Sequence, residues 1–192
     1  MKRVFIVHGW SGRPEHGWYL WLKRELEKRG FEASVPRLPD TDSPRIEKWI
    51  PALADATGKV DEDTFFVGHS LGCQTIARFL ESLPENQKAG GVIFVAGFFK
   101  HLSDAEYDEN EKKTRDHWLN KPINFESVKS KINKSIAFFS KDDPDVPLDN
   151  KEDFRTKLGS EIIVLNGYKH FAGDYGINEL PIVLEKLLEI AK

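Results

Sequence analysis

A short apolar strand that leads directly into a glycine-flanked serine constrains this chain more than any other feature. Residues 64–72 read Thr-Phe-Phe-Val-Gly-His-Ser-Leu-Gly, in which Gly68 and Gly72 stand two positions to either side of Ser70. Such a serine can occupy a sharp turn from strand to helix, because the glycines keep side chains out of the crowded backbone. A helical apolar face follows, formed by Cys73, Ile76, Ala77 and Leu80. The segment therefore predicts a strand, an exposed serine nucleophile and a helix in succession.

The rest of the chain repeats this alternation of strand and helix. Apolar runs typical of buried strands occur at residues 4–7, 65–67, 91–96, 136–139 and 162–165, and residues 31–35 are predicted to form a short second strand. Continuous apolar strands separated by helices indicate a parallel sheet covered on both faces, with right-handed crossovers. We therefore predict a single α/β domain over residues 1–192, a three-layer αβα sandwich around a sheet of about six parallel strands. Residues 103–120 depart from the pattern, and we expect a polar, irregular segment there with one or two short helical turns.

Composition excludes several classes of protein. The formal net charge is −3 and the basic residues form no separate cluster, so neither a nucleic acid nor an anionic membrane surface is an expected partner. No run approaches the roughly 18 apolar residues that a membrane span requires. The single cysteine, Cys73, excludes an intramolecular disulfide and favours a reducing, cytoplasmic location.

Residues with catalytic chemistry follow the predicted strands at one edge of the sheet. In open parallel α/β sheets, ligands bind at the carboxyl ends of the strands. Ser70 follows the third strand, a group of aspartates follows the fifth and His170 follows the sixth, which gives the chain order Ser, Asp, His. Serine is a weak nucleophile that needs a base within hydrogen-bonding reach, and His170 is the best-placed candidate.

Three aspartates compete for the acid that would orient His170. Asp142, Asp143 and Asp145 all lie in the loop after the fifth strand. We favour Asp143, because Asp-Pro-Asp-Val-Pro has the Asp-x-x-Val-Pro form that is usual after this strand in hydrolases. In addition, Pro144 holds the residue before it away from the helical region. Asp142 is the main alternative, and the aspartates that are not used are expected to be solvated loop charges.

Backbone N–H groups are expected to stabilise the oxyanion of an acyl-transfer reaction. One donor is Leu71, which follows the nucleophile and opens a helix whose dipole favours negative charge. The other donor is expected in the loop after the first strand, and we choose the N–H of Trp10. Gly9 would let this loop approach the nucleophile closely, and His8 is expected to shape the loop by hydrogen bonding. An apolar acyl pocket is expected around Trp10, Phe98, Phe99 and Trp118.

The remaining histidines and the cysteine are interpreted as structural. His69, the variable residue of the elbow, is expected to be a structural neighbour of the site, and Cys73 a packed core thiol. His16, His101 and His117 lack the spacing of metal ligands, so we assign neither a metal nor a cofactor.

In this order and spacing, the motifs resemble those of one family. The Gly-His-Ser-Leu-Gly elbow, the His8-Gly9 loop, Ser-Lys-Asp-Asp-Pro and the late His170-Phe171 pair are similar to small serine hydrolases of the YdeN and retinoblastoma-binding-protein-nine type, within the α/β-hydrolase superfamily. The resemblance extends over essentially the full length. It implies a minimal α/β-hydrolase fold that lacks the first two strands of larger relatives and carries at most a small cap. It also implies that Ser70, Asp143 and His170 match the family's triad.

These observations predict acyl transfer from a small-molecule substrate to water. Ser70 would attack an ester, thioester or amide carbonyl, His170 would carry the proton, and water would hydrolyse the acyl-enzyme. The alternative is a hydrolase scaffold that binds a protein partner and has weak or vestigial activity. A complete triad favours the enzyme over this alternative.

Overall fold

The centre of the molecule is a sheet of six parallel strands. The computed structural model describes residues 1–103 and 107–192. Its strands are Arg3–Val7 (β1), Glu32–Ser34 (β2), Thr64–His69 (β3), Gly91–Val95 (β4), Ser135–Ser140 (β5) and Glu161–Leu165 (β6). Their order across the sheet is β2-β1-β3-β4-β5-β6, and every neighbouring pair is parallel.

Helices cover both faces of this sheet. They are Tyr19–Glu27 (α1), Ile46–Thr57 (α2), Leu71–Glu81 (α3), Glu109–Leu119 (α4), Phe125–Ser130 (α5), Lys151–Leu158 (α6) and Pro181–Ile190 (α7). None of these helices, within the ranges described, is long and apolar enough to cross a membrane.

Two apolar clusters, one on each face of the sheet, hold the layers together. Side chains alternate along β1, so that Phe5 and Val7 belong to one cluster while Val4 and Ile6 belong to the other. The first cluster contains residues of α2, α3 and α6, and the second contains residues of α1 and α7. The predicted three-layer αβα sandwich with six parallel strands is confirmed.

One predicted element is wrong. Glu109–Leu119 is a continuous 11-residue helix, whereas the sequence predicted one or two short turns in this region. A capping box starts it, because the Asp108 carboxylate accepts the N–H of Glu111 and the Glu111 side chain accepts the N–H of Asp108. Few of its side chains are buried, so the helix shows little apolar periodicity in the sequence. The polar segment predicted over residues 103–120 includes residues 104–106, which lie outside the described residues.

Backbone strain is concentrated at one edge of the sheet. Among the described residues, the non-glycine residues with positive φ angles are Ser11, Asp40, Ser70, Ala96, Lys169 and Phe171. Each lies in a segment that follows the carboxyl end of a strand. Such conformations cost about 1–3 kcal/mol each and cluster at functional sites. The edge at which the sequence predicts the site is therefore also the strained edge.

Candidate active site

Ser70 lies at a sharp turn between β3 and α3. Its backbone angles are φ 53° and ψ −122°, and its N–H donates to the Val95 carbonyl at 2.9 Å. A Cβ on Gly72 would lie 2.2 Å from the carbonyl oxygen of Val7, and one on Gly68 would lie 2.9 Å from a backbone nitrogen of α3. Both glycines are therefore required by the close packing of the turn against β1 and α3.

Two backbone N–H groups near Ser70 have no hydrogen-bond acceptor within the described part of the chain. They belong to Trp10, in the loop after β1, and to Leu71, the first residue of α3. Gly9 allows this loop to approach the nucleophile, since a Cβ there would lie only 2.9 Å from the Cβ of Ser70. Trp10 and Leu71 line the same cavity as Ser70, so their N–H groups remain the candidates for an oxyanion hole.

His8 holds the loop after β1 in shape. Its Nδ1–H donates to the Gly9 carbonyl at 3.0 Å, and its Nε2 accepts the Leu38 N–H at 3.3 Å. The ring is fully buried, and this burial lowers the pKa of His8. A neutral ring with one donor and one acceptor nitrogen satisfies both contacts.

His170 and Asp143 form a hydrogen-bonded pair beside Ser70. Nδ1 of His170 lies 2.9 Å from Oδ2 and 3.1 Å from Oδ1 of Asp143. Oδ1 also accepts the N–H groups of Asp145 and Val146, at 2.9 and 3.0 Å, and these bonds fix the carboxylate. Because an ionised carboxylate only accepts, Nδ1 carries the proton and Nε2 remains free to take one from a hydroxyl. The Asp143 side chain is only 3% exposed.

The other two aspartates of this loop have different surroundings. Asp142 accepts the Ser140 hydroxyl and lies 3.3 Å from the ammonium group of Lys169. The Ser140 hydrogen bond, with the Lys169 contact, holds the pKa of Asp142 well below its usual range. Asp145 is 46% exposed, and its Oδ2 is 3.9 Å from the imidazole Nδ1. These contacts favour Asp143 over both alternatives.

Ser70 and His170 open onto two adjoining cavities. The larger, of about 430 Å³, lies between the loop after β1 and the segment that follows His170. The smaller, of about 190 Å³, is lined by Trp10, Leu71, Phe98, Leu102 and Tyr107 together with the polar side chains of Ser70, Asp145 and His170. Among the described residues the Ser70 hydroxyl makes no hydrogen bond, and catalytic hydrogen bonds often form only when the substrate binds.

The structure places only two of the four predicted pocket residues at the smaller cavity. Trp10 and Phe98 line it, whereas Phe99 and Trp118 are not among its lining residues. Phe99 is buried in the core against Phe154, with ring centroids 4.5 Å apart. Trp118 is 1% exposed, and its indole N–H donates to a backbone carbonyl before α2 at 3.0 Å.

Sequence reasoning missed Leu102 and Tyr107 as lining residues. Tyr107 stacks on Trp10, with ring centroids 6.3 Å apart and planes 4° from parallel. Tyr107 lies in the segment 103–120 that was predicted to be polar and irregular, and Leu102 is the residue directly before that segment. An aromatic residue within an otherwise charged run is the signal that could have identified Tyr107.

Cys73 is placed as predicted, in the core beside the elbow. Its thiol donates to the Gly68 carbonyl at 3.3 Å, and burial raises the pKa of the thiol, so it stays protonated. Asp143, Asp145 and His170 have potential metal-ligand atoms within 4.8 Å of one another. Both oxygens of Asp143 already accept hydrogen bonds from the protein, so we interpret this group as the hydrogen-bonded pair and assign it no metal.

A parallel sheet in this order, with a serine elbow after β3 and a histidine–aspartate pair at the same edge, defines a protein of the α/β-hydrolase type. The family model for serine hydrolases matches residues 4–189. The chain therefore belongs to the serine hydrolase family, as the motifs predicted.

Two relatives are similar to the chain over nearly their whole length. YdeN of Bacillus subtilis (strain 168), which is named as a hydrolase, is 35% identical over 187 residues, covering 97% of this chain and 94% of YdeN. The serine hydrolase RBBP9 of Rattus norvegicus is 27% identical over 189 residues, covering 97% of this chain and 95% of RBBP9. The crystal structure of the ydeN gene product matches with a TM-score of 0.90 and 30% identity, covering 99% of this chain and 98% of that one.

Proposed function

We propose that this chain hydrolyses small esters through an acyl-enzyme on Ser70. The observation that carries the proposal is the His170–Asp143 pair, 2.9 Å apart, at the cavity that also contains Ser70. Such a pair can take a proton from a serine hydroxyl and stabilise the imidazolium that results. Membership in the serine hydrolase family supports the same chemistry.

In the proposed reaction, Ser70 Oγ attacks the ester carbonyl carbon while its proton passes to Nε2 of His170. The carbonyl π electrons move to the oxygen, which the N–H groups of Trp10 and Leu71 stabilise. Collapse of this intermediate breaks the bond to the alcohol, which leaves with the proton from His170. Water then attacks the acyl-enzyme carbonyl and gives its proton to His170. Collapse of this second intermediate breaks the bond to Ser70 Oγ, which takes the proton back, and the carboxylic acid is released. Asp143 keeps the imidazole in the required tautomer throughout.

A short acyl group is the proposed occupant of the smaller cavity. Its volume of about 190 Å³ suits a small hydrocarbon chain next to the carbonyl, and the apolar side chains of Phe98 and Leu102 form part of its wall. The steps above need no cofactor. The same nucleophile can act on thioesters and amides. Measuring kcat/KM on a panel of esters, thioesters and amides would therefore rank the three substrate classes.

Covalent labelling tests the proposed nucleophile. We expect a fluorophosphonate probe to label the wild-type protein, which should also hydrolyse p-nitrophenyl acetate. Ser70→Ala should abolish labelling and lower kcat by at least about 10⁴-fold. Ser130→Ala, which changes an exposed serine of α5, is the matched control and should leave both unchanged. A folded wild-type protein that is neither labelled nor active would indicate the alternative, a hydrolase fold that binds a protein partner.

A further inference from the structure

The loop that carries His170 is strained on both sides of the histidine. Lys169 has φ 48° and Phe171 has φ 54°, and neither residue is a glycine. Residues other than glycine rarely adopt this backbone conformation, and it persists only where surrounding contacts hold it. The contacts that hold this loop therefore also determine where the imidazole of His170 lies.

Two buried ring nitrogens hold the loop by its carbonyl groups. Nε2 of His69 lies 2.7 Å from the carbonyl oxygen of His170, and the indole N–H of Trp18 donates to the carbonyl of Phe171 at 2.8 Å. Both side chains are at most 5% exposed, so water does not replace either bond. The loop is thus attached at two successive residues to the elbow and to the start of α1.

The protonation states of the His69 contacts follow from their partners. A carbonyl oxygen only accepts, so Nε2 of His69 carries a proton. Burial lowers the pKa of His69 to about 3, so the ring is neutral and Nδ1 is an acceptor. The Tyr19 hydroxyl, 2.6 Å away, donates to that Nδ1. Burial raises the pKa of Tyr19, so this hydroxyl stays protonated.

We propose that His69 is a positioning residue of this active site, whose Nε2–H, oriented by the Tyr19 hydroxyl, holds the strained backbone of His170 so that its imidazole faces Ser70. The proposal rests on the proposed function, in which His170 is the base. It gives a role to the position that the Gly-x-Ser-x-Gly motif leaves variable. A displacement of about 1 Å in such a group can lower a rate by about 100-fold.

Three substitutions separate positioning from packing. His69→Phe keeps an aromatic ring but removes both hydrogen bonds. His69→Gln supplies an amide N–H that can reach the position of Nε2–H. Tyr19→Phe removes only the hydroxyl that orients the ring. The control is Ser160→Ala, which removes a hydroxyl contact of 2.8 Å with Ser135 at the opposite end of the sheet.

The measurement is kcat and KM on p-nitrophenyl acetate, with the competent fraction titrated by fluorophosphonate. We expect His69→Phe to lower kcat by about 30- to 100-fold and to leave KM within about twofold. Tyr19→Phe should lower kcat by about fivefold, because Nδ1 then loses its donor and the imidazole of His69 is held only through Nε2–H. His69→Gln should restore kcat to within about fivefold of wild type, and Ser160→Ala should lower the melting temperature without changing kcat.

Wild-type kcat in His69→Phe, or equal losses in His69→Gln and His69→Phe, would overturn the positioning role. Should His69→Phe not fold, wild-type kcat in Tyr19→Phe, or a loss in His69→Gln larger than about 30-fold, would overturn the role instead. A failure of the proposed function is distinguishable, because turnover would then persist in Ser70→Ala or be absent from the wild-type protein. Either result removes the base that His69 would position, and the positioning role is overturned with it.

Discussion

At the scale of single residues, three aspartates within four positions of the chain have three different surroundings. Asp143 is almost buried and hydrogen-bonded to an imidazole, Asp142 is bonded to a serine hydroxyl, and Asp145 is half exposed. Their charge is the same, so the difference comes entirely from where the loop after β5 places each carboxylate. The sequence favoured Asp143 from the motif, while only the contacts separate it physically from Asp142.

Asparagine substitutions at these aspartates test the assignment of the acid. We expect Asp143→Asn to lower kcat by about 10³- to 10⁴-fold, because an amide can donate to Nδ1 and favour the wrong tautomer of His170. Asp142→Asn and Asp145→Asn should each change kcat by less than about tenfold. Steady-state kinetics on p-nitrophenyl acetate provide the measurement. A larger loss in Asp142→Asn than in Asp143→Asn would reverse the assignment.

Two adjacent phenylalanines offer a matched pair for the acyl cavity. Phe98→Ala enlarges the smaller cavity, and we expect it to raise the ratio of hexanoate to acetate ester hydrolysis by about tenfold. Phe99→Ala removes a core ring instead. It should leave that ratio unchanged and lower the free energy of unfolding by about 3–5 kcal/mol. An unchanged ratio in Phe98→Ala would remove the support for an acyl pocket at this residue.

At the scale of elements, the four central strands β1, β3, β4 and β5 were predictable because they are buried on both faces, so each contains a continuous apolar run. Helix α4 was not, because it contacts the core through few side chains and starts from a charged capping box. Its local signal, Asp108 followed three residues later by Glu111, is present in the sequence. The many charged residues around that signal led instead to the prediction of a polar, irregular segment.

The capping box can be tested by its effect on stability. Asp108→Ala removes the acceptor for the first N–H groups of α4, and we expect the free energy of unfolding to fall by about 1 kcal/mol. Glu109→Ala, one residue on, removes a similar charge without a capping bond and should change stability by less than about 0.5 kcal/mol. Urea denaturation of both variants measures the difference. Equal effects would show that charge, and not the cap, stabilises this end of the helix.

At the scale of the whole molecule, strand order determined how much of the site was predictable. Parallel strands end at a common edge, so Ser70, Asp143 and His170 could be placed together before any distance was known. Side-chain direction could not be predicted in the same way. Phe98 and Phe99 are adjacent in the chain and both are buried in the same apolar cluster, yet Phe98 borders the smaller cavity while Phe99 packs against Phe154. Which of them faces Ser70 depends on how the segment after β4 turns.

Buried neutral histidines are expected to make the folded molecule sensitive to acid. Burial lowers the pKa of His69 to about 3, whereas an unfolded histidine titrates near about 6.5. Between these values the unfolded chain binds more protons, so the free energy of unfolding falls as the pH falls. Burial lowers the pKa of His8 as well, so His8 also lowers the free energy of unfolding as the pH falls.

Comparison with His69→Gln isolates one of these groups. Between about pH 6 and pH 4, the wild-type free energy of unfolding should fall by about 1.4 kcal/mol per pH unit more than that of His69→Gln. Chemical denaturation at several pH values measures both slopes, and the carboxylates common to the two proteins cancel in the comparison. Parallel slopes would show that His69 titrates normally in the folded state.

The six strained residues at the carboxyl edge of the sheet have a consequence for engineering. Replacing Lys169 with glycine would relieve its positive φ and raise the stability of the folded chain, but it would also loosen the loop that carries His170. Substitutions at the amino ends of the strands, far from Ser70, carry no such conflict. In a search for thermostable variants, we therefore expect the stabilising substitutions to lie mainly at the amino ends of the strands. Substitutions that improve turnover should lie mainly at the carboxyl ends.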